Sequence, residues 1–306
     1  MIDLFLEILT QITLPIVALM ALGWATQPWL RFDVASLTRL QVYVVLPCFL
    51  LHFLSSAELP LTAVWPTAWF TVGSFLIIAL LGWLVAAALR LERSLWPILG
   101  LAAAFPNSGN FGIPLAQLAF PVDYLLHQAV IVSLHTTLIS VFVVWGMSNG
   151  RDSSLGQSLT TLLRSPMILA VIAGLALKGF GIRPPTLVAE PLKLMGYAYA
   201  PVALFTLGAQ LAGSAAAIDR GILALILVLK FLLAPGLSFA LLWLLGFPDD
   251  LSDVLVVAAA APVGVLLAIF CVEHRTHAET ASAAVLVSTV LSPIVVTAWL
   301  LLVRLY

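Results

Sequence analysis

Charged residues are the scarcest class in this 306-residue sequence. Only 9% of the residues are Asp, Glu, Lys or Arg, and 62% are hydrophobic, whereas an average soluble domain has roughly 25% charged residues. A compact soluble chain cannot hide this much apolar surface, because part of its surface always remains in water. The composition therefore excludes a water-soluble globular protein and predicts one embedded in lipid. A formal net charge of -1 provides no basic field for nucleic acid.

Cysteine is almost absent, and so are nucleotide-binding motifs. Cys48 and Cys271 lie in apolar runs without a matching histidine cluster, so we expect no disulfide framework, no metal and no cofactor. No Gly-rich loop with Gly-Lys-Ser/Thr is present, which argues against ATP as a direct energy source. No Lys or Arg precedes Arg31. A secretory signal needs a basic start, so the first apolar run is interpreted as a retained helix.

Groupings of catalytic side chains are also missing from the apolar segments. Hydrolysis inside a membrane would need a facing Ser–His pair, two Asp residues or a metal cluster. Ser133 and His135 are two positions apart, so they would not face each other on a helix. No Asp or Glu lies deep in an apolar segment. We therefore do not expect an enzyme.

Long apolar runs are what the sequence has in abundance. A spanning helix needs about 20 predominantly apolar residues, and the runs between charge clusters and Gly/Pro breaks predict an all-α protein with ten spans. Spans 1 to 10 are, in order, Leu4–Trp24, Val34–Leu54, Val64–Leu89, Leu95–Phe120, Tyr124–Met147, Arg164–Phe180, Leu187–Leu211, Gly221–Leu245, Leu251–Val272 and Ala278–Leu302. The longest polar connection falls between spans 5 and 6, at the midpoint of the chain.

Lys and Arg residues near the span ends predict the orientation, because cytoplasmic loops carry an excess of them. Eight follow odd-numbered spans: Arg31, Arg39, Arg90, Arg93, Arg151, Arg164, Arg220 and Arg275. Four belong to the opposite face: Lys178, Arg183, Lys193 and Arg304. The excess places the odd loops in the cytoplasm and both termini on the extracytoplasmic side.

The two halves of the chain repeat one pattern of prolines. Pro15, Pro47 and Pro106 match Pro166, Pro201 and Pro262 at offsets of 151, 154 and 156, and residues 129–133 match residues 284–288 at an offset of 155. Each half has five spans, an odd number, so the second copy must enter the membrane upside down. We therefore predict a first repeat at 1–147, a cytoplasmic linker at 148–163 and an inverted repeat at 164–306. Inverted repeats are typical of transporters, although prolines are also common in unrelated membrane helices.

Span 4 is interrupted by a polar stretch, residues 105–114, with two prolines and two glycines. Proline removes a backbone donor, and unpaired backbone groups at membrane depth are tolerated only beside protein or a wet cavity. The break is therefore expected to line a site, with a half-helix start that suits a carboxylate. The candidate substrate-binding residues are Pro106, Asn107, Ser108, Gly109 and Asn110. A structural kink capped by the two amides is the alternative.

Span 9 has a matching break at Pro262, Val263 and Gly264. It is poorer in polar groups, so its contribution to a site is expected to come mainly from the backbone. If the two breaks cross near the midplane, two half-helix starts converge on one point.

Three isolated polar residues within the spans are candidates for charge balance or proton coupling. Lys230 lies in span 8 and could balance an anion or replace a coupling cation, or it could pair with carbonyls near Pro235 or snorkel. His52 and His135 could take a proton, because an unperturbed histidine titrates near pH 6.5. Each could equally hydrogen-bond a neighbouring helix.

Several stretches resemble the auxin efflux carrier family, which includes plant auxin transporters and bacterial malonate and malate carriers. The stretch 105–115 is similar to the family's Pro-Asn…Gly-Ile/Leu-Pro-Leu crossover, and residues 46–56, 201–208 and 288–292 resemble its second, seventh and tenth helices. Val263 departs from the pattern, because many relatives carry an amide after the helix 9 proline. The large cytoplasmic loop of many plant members is also missing, which indicates a bacterial member in the cell (inner) membrane.

The resemblance implies a ten-helix fold with crossed helices 4 and 9. It further implies a dimerising scaffold of helices 1, 2, 6 and 7, and a moving transport domain of helices 3–5 and 8–10. Asn107 and its break would hold the carboxylate of a small organic anion. The expected function is therefore a secondary transporter of elevator type. A sodium-coupled symporter of the bile-acid type, and a ligand sensor or channel using the same pocket, are the alternatives.

Overall fold

The computed structural model describes residues 2–147, 165–212 and 219–305, and these residues are almost entirely helical. Their helices are α1 Ile2–Leu30, α2 Val34–Ser56, α3 Val64–Ala88, α4 Leu95–Ala104, α5 Gly112–Ala119, α6 Leu125–Met147, α7 Pro166–Gly179, α8 Thr186–Ala212, α9 Arg220–Leu245, α10 Asp249–Ala260, α11 Val265–Glu273 and α12 Ala278–Leu305. The predicted linker, residues 148–163, lies outside the described residues.

Seven of the helices in the described part of the chain are long and apolar enough to cross a membrane: α1, α2, α3, α6, α8, α9 and α12. The other three predicted spans contain shorter helices. Span 6 corresponds to α7, span 4 is divided into α4 and α5, and span 9 is divided into α10 and α11. A helical membrane protein with several spans is confirmed, while ten spans arranged as inverted repeats remain a prediction.

Three of the long helices contain one π-helical segment each, and every segment ends two residues before a proline. The segments are Leu9–Thr13 before Pro15, Gln41–Val45 before Pro47, and Leu229–Leu233 before Pro235. Proline lacks an N–H and its ring collides with the carbonyl of the preceding turn, and a widened turn relieves this conflict. The helices therefore continue through these prolines without breaking.

Glycines set the closest contacts between helices of the two halves. A Cβ at Gly23 of α1 would lie 2.0 Å from the carbonyl oxygen of Phe205, and one at Gly208 of α8 would lie 1.9 Å from that of Met20. In the same way a Cβ at Gly174 of α7 would lie 2.7 Å from Leu54 of α2. Helices α1 and α8, and α2 and α7, therefore pack with their backbones almost in contact.

Helices α3 and α4 form another close pair, because a Cβ at Gly82 would lie 2.7 Å from the Cα of Gly100. Helices α9 to α12 pack together beside them, and a buried apolar cluster joins α3, α4, α9, α11 and α12. The segments that link α4 to α5 and α10 to α11 are enclosed by these elements. They form the site described next.

Candidate functional site

The two predicted breaks lie against each other. An isolated antiparallel bridge pairs Pro106 with Val263. The backbone N–H of Asn107 donates to the Pro262 carbonyl at 2.7 Å, and the N–H of Gly264 donates to the Phe105 carbonyl at 3.0 Å. We name these paired segments, residues 105–111 and 261–264, the crossover. The crossover lies between the ends of α4 and α10 and the starts of α5 and α11.

The chain itself satisfies much of the backbone that the breaks release. The carbonyl of Asn107 accepts the N–H groups of Phe111 at 3.2 Å and Gly112 at 2.9 Å, which starts α5. The N–H of Val263 donates to the Ser288 hydroxyl of α12 at 3.0 Å. The backbone of Val263 therefore joins the second break to Pro106 and to α12, while its contribution to a substrate site stays a prediction.

Asn107 nevertheless retains a donor that is not used. The side chain is 6% exposed, and its Nδ2 has no hydrogen-bond partner within the described part of the chain. A buried polar atom without a partner costs free energy and calls for a physical explanation. An acceptor atom of a ligand would provide one.

Asn110 is held from the side of α2 and α8. Its Oδ1 accepts the Gln41 amide at 2.8 Å and the Tyr199 hydroxyl at 3.4 Å, and the Gln41 amide also lies 3.2 Å from that hydroxyl. Gln41 is 1% exposed, and its Oε1 has no partner among the described residues. The Tyr199 hydroxyl also faces Gly109, where a Cβ would lie 3.4 Å away.

Ser108 is held from the opposite side, by α6. The Gln128 amide donates to the Ser108 carbonyl at 2.7 Å, and Nδ1 of His135 lies 3.4 Å from the Ser108 hydroxyl. The structure thus brings His135 to the crossover. His52 lies elsewhere on α2, beside Phe53 and Tyr197, with ring centroids 4.9 and 6.1 Å away.

Lys230 lies behind the crossover, in the π segment of α9. It is 1% exposed and is the only Lys, Arg, Asp or Glu that is buried within the described ranges. Its Nζ donates to the carbonyl of Ala103, near the end of α4, at 3.5 Å. The alternative that Lys230 pairs with a carbonyl at a helix break thus has its acceptor at the end of α4 and not near Pro235.

A small cavity adjoins Lys230 and has a volume of about 20 Å³. We name it the polar cavity, because five of its lining side chains carry polar atoms: Thr71, Ser74, His135, Lys230 and Ser238. Its remaining lining is apolar and includes Pro106 of the crossover.

The sequence did not single out Gln41, Tyr199, Gln128 or Thr71, which the structure places beside the crossover or the polar cavity. Gln41 offered a signal, since it is a polar residue six positions before a proline in an apolar span. The others resemble ordinary interhelical polar residues and become informative only through their partners. Within the described residues no group of three or more His, Cys, Asp or Glu is placed to hold a metal ion.

Comparison with known proteins assigns the chain to a family. The model of a family described as "Membrane transport protein" matches residues 8–145 and 152–300. A protein of Rhizobium meliloti (strain 1021) named "Putative malonate transporter" is 27% identical over 212 residues. That alignment covers 67% of this chain and 66% of the relative, which is just under two thirds of its length. The family match extends over most of the chain, and the chain therefore belongs to this membrane transport family, the auxin efflux carrier family.

Proposed function

We propose that this protein is a secondary transporter that carries a small organic anion, such as malonate, malate or an auxin-like carboxylate, by alternating access of the elevator type. The observation that carries the proposal is the crossover, with the buried and unpartnered amide of Asn107 at its centre. Transporter sites are typically formed where discontinuous helices meet. Family membership supports transport in general.

The charge of the buried region favours an anion. Lys230 is buried beside the crossover, and no Asp or Glu is buried in the described parts of the chain. An isolated buried charge is costly, and a carboxylate substrate would reduce that cost. Asn107 Nδ2 supplies a donor, and hydrogen bonds to charged groups are stronger than neutral ones.

The relative's name supports malonate as the first substrate to test. Malonate carries two carboxylates, so one can meet the Asn107 amide while the other approaches the polar face formed by Gln41 and Tyr199. The Tyr199 hydroxyl and the Gln41 amide are donors. They now converge on Asn110.

An inverted-repeat architecture completes the proposal. The close pairs α1–α8 and α2–α7 each join one helix of the first half to one of the second, as expected for a scaffold built from both repeats. The transport domain would consist of spans 3–5 and 8–10, which include the crossover and Lys230. We further propose a homodimer in the bacterial inner membrane with both termini on the extracytoplasmic side.

Asn107→Ala tests the site directly. It should weaken malonate binding by roughly tenfold or more, because a hydrogen bond to a charged group contributes about 1.5–3 kcal/mol. Stability should change little, since the amide nitrogen has no partner to lose. Val263→Ala is the matched control in the paired segment of the crossover and should have a smaller effect on affinity, because Val263 offers no polar side-chain atom. The measurements are malonate affinity and melting temperature of the purified variants.

Gln41→Met extends the test to the face of α2 and keeps the length of the side chain. It should reduce affinity and leave the protein folded. Unchanged malonate affinity in Asn107→Ala, or a larger loss in Val263→Ala, would place the site elsewhere. Binding of malonate without flux or counterflow in proteoliposomes would indicate a sensor, and flux without counterflow would indicate a channel.

A further inference from the structure

The end of α4 presents backbone carbonyls that a continuous helix would have paired. The last carbonyls of a helix lack the N–H groups of a following turn, and together they carry a partial negative charge. Here the carbonyl of Leu101 accepts the N–H of Phe105 at 2.8 Å. The carbonyl of Ala103 accepts the ammonium group of Lys230 instead. Lys230 of α9 thus places a cationic group at the interrupted end of α4.

The polar cavity is lined by both Ala103 and Lys230. The Thr71 hydroxyl lines it, is 3% exposed as a residue and has no hydrogen-bond partner within the described ranges. The hydroxyls of Ser74 and Ser238 line the same cavity while donating to backbone carbonyls at 3.3 and 2.9 Å. Each of these hydroxyls keeps acceptor capacity. A volume of about 20 Å³ exceeds the roughly 10–15 Å³ that one water requires.

A cavity lined by the helix-end residue Ala103 and by three hydroxyl side chains is a suitable environment for a small hard cation. Such cations prefer oxygen ligands, and transporters bind Na⁺ with unwound carbonyls and the C-terminal ends of half-helices. In this chain, however, the positive charge at that place is covalently attached. A Na⁺ ion and the ammonium group would compete for the same carbonyl.

We propose that Lys230 is the resident cation of this site, and that its ammonium group takes the position that a coupling Na⁺ would otherwise occupy. Substrate binding then needs no Na⁺, because the cationic group beside the crossover belongs to the chain itself. The consequence for transport rests on the proposed function. The cation site itself rests on the hydrogen bond from Lys230 to Ala103 and on the Thr71 hydroxyl, which lines the polar cavity without a partner among the described residues.

The test compares three forms of the purified protein in NaCl, KCl and choline chloride at equal ionic strength. Lys230→Ser shortens the side chain, opens the site and adds a hydroxyl oxygen. Lys230→Met is the matched control, because it removes the charge while filling most of the same space. Melting temperature reports cation binding, and malonate affinity reports the coupling.

The wild-type protein should melt at the same temperature in all three salts and should bind malonate equally well. Lys230→Ser should be stabilised by Na⁺ in a saturable way, and Na⁺ should raise its malonate affinity by at least about fivefold, the low end of typical coupling between two ligands. Lys230→Met should bind malonate more weakly than wild type in every salt, without preference for Na⁺. Should Lys230→Ser not fold, Lys230→Asn supplies an amide oxygen for the same comparison.

Two results would overturn the inference: a wild-type protein that needs Na⁺ to bind malonate, or shortened variants that respond to no cation. Substrate and cation readouts also separate the two proposals. If Na⁺ stabilises Lys230→Ser but none of the forms binds malonate, the cation site stands and the proposed substrate is wrong.

Discussion

Gly264 is the tightest point of the crossover. Its backbone dihedrals, φ -69° and ψ 133°, are open to any residue, so conformation does not require glycine here. The lack of space requires glycine instead, because a Cβ would lie 2.1 Å from Cε1 and 2.3 Å from Cδ1 of the Phe105 ring. Phe105 is 4% exposed and is enclosed by neighbouring side chains. Gly264→Ala therefore forces the ring to move by more than about 1 Å to reach normal contact distance.

Overpacking of a well-packed interior typically costs about 1–3 kcal/mol, and we expect a loss of unfolding free energy in this range for Gly264→Ala. Gly73→Ala is the control, since a Cβ there meets no heavy atom within 4 Å. That change should be neutral or stabilise α3 by up to about 1 kcal/mol, because alanine favours a helix over glycine. Unfolding of purified protein in a mild denaturant series measures both variants.

A second substitution identifies the cause. Phe105→Leu shrinks the side chain that the new methyl group would strike, so the double variant should be more stable than the sum of the two single changes predicts. Side chains in contact commonly show coupling of about 0.5–3 kcal/mol. Additive effects, or a Gly264→Ala protein as stable as wild type, would refute the argument that this glycine exists to make room for Phe105.

Gly208→Ala should destabilise the protein more than Gly73→Ala does, because its Cβ would lie 1.9 Å from the backbone oxygen of Met20 and backbone cannot rotate away; melting temperatures of the two variants decide this. The proposed topology predicts that Ser153→Cys, in a background without Cys48 and Cys271, reacts with an impermeant thiol reagent only after cells are permeabilised. Glu58→Cys, after span 2, should react in intact cells, and the reverse pattern would contradict the orientation.

The sequence was sufficient to predict the helical elements and the location of the breaks. Apolar length and the Gly/Pro punctuation placed most helix ends within a few residues of those observed, and the cluster around Pro106 and Asn107 marked a break that the structure also has. These features are local, because proline and glycine act on the backbone at their own position.

The partners across the site could not be predicted in the same way. Gln41 meets Asn110 across 69 positions of the chain, and Lys230 meets Ala103 across 127. Such contacts depend on how the helices pack. The periodicity of a single sequence indicates where helices lie but not which residues of different helices meet. For the same reason the sequence offered both His52 and His135 for proton coupling, yet only His135 contacts the crossover.

The widened turn in α9 has a mechanical consequence for Lys230. One additional residue in a turn advances everything after it by about 100° around the helix axis. In α9 the N–H of Ala234 bonds to the Leu229 carbonyl, and the indole of Trp299 takes up the Phe231 carbonyl at 3.0 Å. Pro235 keeps this turn in place, because a regular turn here would bring the proline ring against the Phe231 carbonyl. The ammonium group of Lys230 is therefore fixed at one angle about the axis of α9, facing the end of α4.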